Sequence, residues 1–353
     1  MGRIEKVREL MKRKGIDYLI LGPGSNMFYL SGFVEEQMER PLFLVVSYWD
    51  VYFLAPKIYE EQLSKLNLGV ITYEDGENPY KKLNIEKGKS IAIDDTLWSS
   101  FTIDILDNFS PSRLVKASEI MREVRMIKDE EEIETMMKGL EIAEKSFLET
   151  LEVVKEGISE REVSTYLIHK FIENGADGVS FEPIVTSGSN TSMPHLRSTS
   201  KKIKRGDVVI FDFGVKYKGY STDTTRVVTL GTPSEEVKRI YEIVREAQTR
   251  AEEAIKEGVK ACEIDKVARS IISQHGYGDK FIHRTGHGIG IDVHEDPYIS
   301  PDYKRPLQNN MVFTIEPGIY LPEKFGIRIE DMVYIKNGKP VIMNKLEKDV
   351  FIL

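Results

Sequence analysis

The chain has 353 residues, 41% of them hydrophobic, which is roughly two to three times an ordinary domain and enough apolar material for more than one core. With 49 Lys and Arg against 57 Asp and Glu the formal charge is −8, so no basic surplus exists to neutralise a phosphate backbone or an anionic lipid surface, and neither nucleic acid nor membrane is expected as a partner. No apolar run approaches the roughly 20 residues that span a bilayer, the N-terminus runs straight into charged helical sequence, and the single Cys262 excludes an internal disulfide, which together fit a cytoplasmic protein.

From residue 1 to 122, helical stretches at 4–13 and 58–66 alternate with short apolar runs at 18–21, 42–46, 51–54, 70–73 and 91–93, which predicts an α/β N-terminal domain. Gly22-Pro23-Gly24-Ser25 has neither the spacing nor the free N–H of a dinucleotide-binding turn and reads as a loop. Residues 123–353 form a second domain, entered through a long helix whose stripe Ile133, Met137, Leu140, Ala143, Phe147 and Leu151 is ordinary core.

That second domain repeats itself. Lys155-Glu156-Gly157-Ile158 recurs as Lys256-Glu257-Gly258-Val259, and each copy precedes a helix closed at a glycine, after Asn174 in one and His275 in the other. Ser159 and Glu162 form a capping box in the first copy only. Phe181 matches Phe281, and Val208-Val209-Ile210-Phe211-Asp212 matches Val312-Phe313-Thr314-Ile315-Glu316. Two helices followed by strands, twice over, predict an α+β domain with pseudo-twofold internal symmetry.

Both copies carry acids inside apolar strands. In the first, a hairpin closed on Tyr217-Lys218 sets Asp212 opposite Asp223; in the second, strands flanking 321–325 set Glu316 opposite Glu330. One acid on a strand is ordinarily solvated, but four in two related hairpins would be ruinous to bury without cations, and two divalent ions supply the compensating charge. Thr285-Gly286-His287-Gly288-Ile289-Gly290, between the hairpins, can bring one imidazole close. The oxygen-rich set suits Mn2+, Co2+ or Fe2+ better than a thiolate-type structural zinc site.

The order Asp212, Asp223, His287, Glu316, Glu330, set in Asp212-Phe213-Gly214, Thr222-Asp223-Thr224, Gly286-His287-Gly288, Ile315-Glu316-Pro317-Gly318 and Arg328-Ile329-Glu330-Asp331, resembles the pita-bread metallopeptidases. The whole chain resembles their prolidase and Xaa-Pro aminopeptidase branch, which also places an α/β domain ahead of the catalytic one. The resemblance implies a pita-bread catalytic domain and two divalent metal ions, Mn2+ or Co2+ ahead of Fe2+ or Zn2+. Asp212 would bind one, His287 and Glu316 the other, and Asp223 and Glu330 would bridge. It implies hydrolysis of the Xaa-Pro bond in short proline-containing peptides by a homodimer. Glu316 is the candidate proton shuttle, and His195 and His294 match histidines that contact substrate or the developing oxyanion.

His283 reads as support for the site, and His169 and His275 as structural helix residues. Where the prolidase pattern often has an arginine shortly after the His294 motif, this chain has Asp296-Pro297-Tyr298. Arg40 resembles an N-domain arginine that reaches a neighbouring subunit's substrate, although a surface charge explains it equally well. Asn309-Asn310 stands where a glycine is common. An aminopeptidase of broader specificity, or a non-catalytic pita-bread binding protein, are the alternatives; relatives of the latter kind usually lack the ligands, and all five are present here.

Overall fold

The computed structural model describes residues 2–353, and contacts divide the chain into two compact units between Arg125 and Met126. In the first, six strands form one mixed sheet in the order Gly69–Tyr73, Val51–Pro56, Phe43–Ser47, Tyr18–Leu21, Ser90–Ile93, Arg113–Lys116. All of Phe43–Ser47 and three residues of Tyr18–Leu21 are buried, as expected of strands covered on both faces. Phe101, Ile105 and Phe109, one face of the helix Ser99–Phe109, join Ile20, Phe43, Val45 and Leu54 in one core cluster. Strand Arg113–Lys116 exposes three of its four side chains, so backbone bonding to its parallel neighbour, with no apolar signature, places it at the sheet edge.

The second unit opens with the helix Glu130–Leu151, capped by a reciprocal Asp129–Glu132 box, and the helix Glu160–Glu173, capped by the expected Ser159–Glu162 box. Phe147 stacks on Phe213 at 5.1 Å between ring centroids, while Met136 takes the fully buried place expected of Met137. The second copy supplies the helices Glu235–Glu253 and Ala261–Gln274. Each copy then forms a sheet in which three corresponding strands run antiparallel in matching order. The strands Ile184–Ser187, Val208–Phe213 and Thr224–Thr229 correspond to Gly286–Gly288, Val312–Ile315 and Asp331–Lys336. An isolated bridge between Thr225 and Glu330 joins the two sheets.

The first hairpin departs from the expected register. Its turn is centred on Lys218-Gly219, with φ of 48° and 81°, so Tyr217 pairs with Tyr220 and Asp212 lies opposite Thr225, not Asp223. Two consecutive left-handed residues make a type I′ turn, which wants glycine at its second position; closing on Tyr217-Lys218 would have forced an aromatic residue into that region. The displacement is two residues, so Asp212 and Asp223 keep to one face. In the second hairpin Ile315 pairs with Asp331 and Gly318 with Arg328, one continuous register that sets Glu316 across from Glu330 as expected. Asn310, with φ of 65°, adopts the left-handed backbone that asparagine tolerates.

Candidate active site

Strand geometry brings all five expected ligands together. Asp212 sits near the end of its strand, Asp223 just before Thr224–Thr229, Glu316 just after Val312–Ile315, and Glu330 just before Asp331–Lys336. His287 is central in Gly286–Gly288, where the chains approach so closely that a β-carbon on Gly286 would lie 1.9 Å from the Thr314 carbonyl oxygen. His287 Nε2 lies 3.3 Å from Glu316 Oε1 and 3.6 Å from Asp223 Oδ2. Ligand atoms of Asp223, His287 and Glu330 fall within 4.8 Å of one another.

Glu330 Oε2 accepts a hydrogen bond from Thr225 Oγ1 at 2.7 Å, and Asp212 Oδ2 pairs with Arg328 at 2.6 Å. The second oxygens of Asp212, Asp223 and Glu330 are buried without a partner. Orphaned carboxylate oxygens converging on one imidazole are an arrangement a divalent cation completes, and the donor set fits the hard to borderline ions expected.

The electrostatics agree with the geometry. Burial, then the charges of Glu330, Asp212 and Glu316, push the Asp223 carboxyl well above its ordinary range. Burial and the neighbouring Glu316 and Asp212 do the same to Glu330. Glu316 is pushed up to about 7, chiefly by burial, with Arg328 opposing the rise. Burial, aided by His294, drives His287 well below the usual imidazole value, leaving the neutral form that ligates metals.

The cluster lies in a cavity of about 550 Å³ that His195, His283, Arg284 and His294 also line. His294 stands edge-on to His287, ring centroids 4.3 Å apart, and is itself held low by burial and by Arg284. His283 Nδ1 donates to the Arg284 carbonyl at 2.7 Å, leaving Nε2 to accept from the Tyr320 hydroxyl at 2.8 Å. Tyr320 accepts in turn from Arg328 at 2.9 Å, so a continuous chain runs from His283 through Tyr320 and Arg328 to Asp212.

The sequence reading gave no role to Arg328, Tyr320 or Arg284. Arg328 precedes Glu330 by two residues and therefore shares its strand face, a signal that was available. Tyr320 and Arg284 matter through cross-strand contacts that no local pattern announces. His169 pairs with Glu173 along its own helix, and His275 closes the helix Ala261–Gln274. Arg40 lies in the first unit, where its guanidinium makes two 2.9 Å bonds to Asp75.

Residues 134–337 match Metallopeptidase family M24, and residues 3–127 match the Creatinase/Prolidase N-terminal domain. The chain belongs to metallopeptidase family M24. It is 36% identical to an Xaa-Pro dipeptidase of Pyrococcus furiosus over 352 residues, covering 99% of each chain. Among solved structures it resembles a prolidase from Thermococcus sibiricus, with 45% identity, a TM-score of 0.95 and coverage of 99% of this chain and 98% of the other. It also resembles an X-Pro aminopeptidase from Thermotoga maritima, with 36% identity, a TM-score of 0.89 and full coverage of both. The protein is thus a metallopeptidase, with an α/β N-terminal domain and an α+β pita-bread catalytic domain built on an internal repeat.

Proposed function

We propose that the enzyme hydrolyses the Xaa-Pro bond of dipeptides and short peptides, using two divalent cations held by Asp212, Asp223, His287, Glu316 and Glu330. The observation that carries this reading is the set of three buried carboxylate oxygens without partners around a neutral imidazole. Asp212 would hold one ion and His287 and Glu316 the other, with Asp223 and Glu330 able to serve both, and Mn2+ or Co2+ would be the native metal. When bound, such ions polarise a carbonyl and acidify water toward neutrality.

The chain's own groups do the rest. Glu316, whose Oε1 lies 3.3 Å from His287 Nε2, takes the proton of the attacking water and returns it to the proline nitrogen as the C–N bond breaks. His294, neutral under its depressed pKa, and His195 donate hydrogen bonds to the substrate and to the oxyanion that develops on the attacked carbonyl. A cation must receive the carboxylate of a dipeptide. Arg284 is available in the cavity, and Arg40 would have to act from a partner copy in a homodimer. Its one cysteine suits the cytoplasm, and no helix is long and apolar enough to cross a membrane.

Metal analysis combined with assays of Xaa-Pro dipeptides and longer Xaa-Pro peptides tests the reading. Two bound ions and cleavage before proline are expected; hydrolysis indifferent to proline would favour the aminopeptidase of broader specificity. His195→Ala and His294→Ala should keep both ions while kcat/KM falls about 10²-fold or more. Loss of metal in either would move that histidine into the coordination shell.

A further inference from the structure

The loop 187–199 carries His195 into the cavity, yet among the described residues no side chain hydrogen-bonds the His195 ring. Its placement therefore rests on the loop itself. Both ends of that loop converge on one carboxylate, Glu160, the first residue of the helix Glu160–Glu173 and fully buried. Oε1 accepts from Ser187 N at 2.7 Å and Ser187 Oγ at 2.9 Å, where the loop begins. Oε2 accepts from Thr199 N at 3.0 Å and Thr199 Oγ1 at 2.7 Å, where it ends. Asn190 Nδ2, inside the loop, reaches both oxygens at 3.0 and 3.2 Å.

The helix backbone joins the same grip, with Glu160 N bonded to Lys201 O at 3.0 Å and Arg161 N to Thr199 O at 3.0 Å. The Lys201 ammonium caps the Ser187 carbonyl. Thr191 receives the Gly326 N–H at 2.8 Å, fastening the middle of the loop to the second hairpin.

We infer that Glu160 is a positioning residue for the hydrolytic reaction: it clamps both ends of the His195 loop and so fixes where the imidazole meets the substrate. The inference rests on the reading of His195 as a substrate-contacting group. Five donors converge on two oxygens, so the site needs a group that only accepts, and a carboxylate at a helix N-terminus meets that need. Glutamine has the same shape but turns an N–H₂ toward three of those contacts, leaving donors facing donors in a buried place.

A double-mutant cycle tests it. E160Q should retain both metal ions and lose about tenfold or more in kcat/KM on an Xaa-Pro dipeptide, but lose less than about twofold when introduced into His195→Ala, because the group it positions is gone. In the metal-free protein, E160Q should also speed amide hydrogen exchange across 188–198 while leaving 208–213 protected. Equal losses in the two backgrounds, or full activity with a loosened loop, would overturn the positioning role. A His195→Ala protein with normal turnover would instead overturn the reading of His195 and the inference with it. If E160Q does not fold, Thr199→Val, which removes one donor, takes its place in the same cycle with a smaller loss of the same pattern expected.

Discussion

A carboxylate buried among other carboxylates can escape the cost of its charge by holding a proton or by holding a cation. Asp223, Glu316 and Glu330 are all displaced upward by burial and by neighbouring carboxylates, Asp212 among them in every case, so in the metal-free protein the first solution prevails near neutrality. Metal must then displace protons. Titrating Mn2+ into the metal-free protein at pH 7 should release about one proton or more, and the release should diminish as the starting pH is raised. Calorimetry in buffers of different ionisation enthalpy measures it, and binding without proton release would show that the carboxylates are already ionised. The four acids of the cluster were legible because strand parity puts them on one face, and His287 joined them through the family resemblance. The same parity places Arg328 on the face of Glu330, but its value lies in the 2.6 Å contact to Asp212 across the site, which parity does not announce.

Elements matter here as the mounts of these side chains. The loop that carries His294 is fastened through its neighbour Glu295 to Lys128, whose side chain is 1% exposed, at 2.7 Å. Lys128→Met leaves a carboxylate buried without that cation, and a loss of about 3 kcal/mol in unfolding free energy is expected from chemical denaturation. Behind the second hairpin, Lys348 bridges Glu252 at 2.5 Å and Asp331 at 2.9 Å, tying the helix Glu235–Glu253 to the strand Asp331–Lys336. Burial, then Asp331, raises Glu252 from 4.5 to about 7, so the folded protein keeps a proton that the unfolded chain releases above 4.5. The stability from this group is complete below 4.5 and lost as pH rises through about 7. In the metal-loaded protein, the stability advantage of the wild type over Glu252→Gln should therefore shrink between pH 5 and pH 8; an advantage that grows would reverse the sign of the shift. The second hairpin was readable from sequence because one register runs through both of its ladders. The first was displaced by two residues because the demand of the Lys218-Gly219 turn for left-handed backbone outweighs the pairing of like acids.

At the scale of the whole chain, the doubled catalytic domain was legible because the Lys-Glu-Gly motif recurs at matching helix boundaries, whereas the sixth strand of the first unit was not, since it buries almost nothing. The question that belongs to this scale is which cation receives a dipeptide's carboxylate, because one candidate needs only this chain and the other needs two. Arg40 is held by two bonds to Asp75 and a third contact to Glu39 at 3.2 Å, all of which it must leave to serve another subunit. Arg284 lines the cavity, packs 4.5 Å from the centroid of the Tyr298 ring, and among the described residues pairs with no carboxylate. A hydrogen-bonded ion pair to substrate is worth about tenfold or more in binding, so Arg284→Met should raise KM for Xaa-Pro dipeptides by that factor and for tripeptides much less. Arg40→Ala should change either by under about twofold, since its partners are in its own domain. The reverse pattern, with dipeptidase activity that disappears when the protein is diluted to monomers, would assign the carboxylate to Arg40 of a second copy; full dipeptidase activity in a monomer leaves Arg284 as the group that reads substrate length.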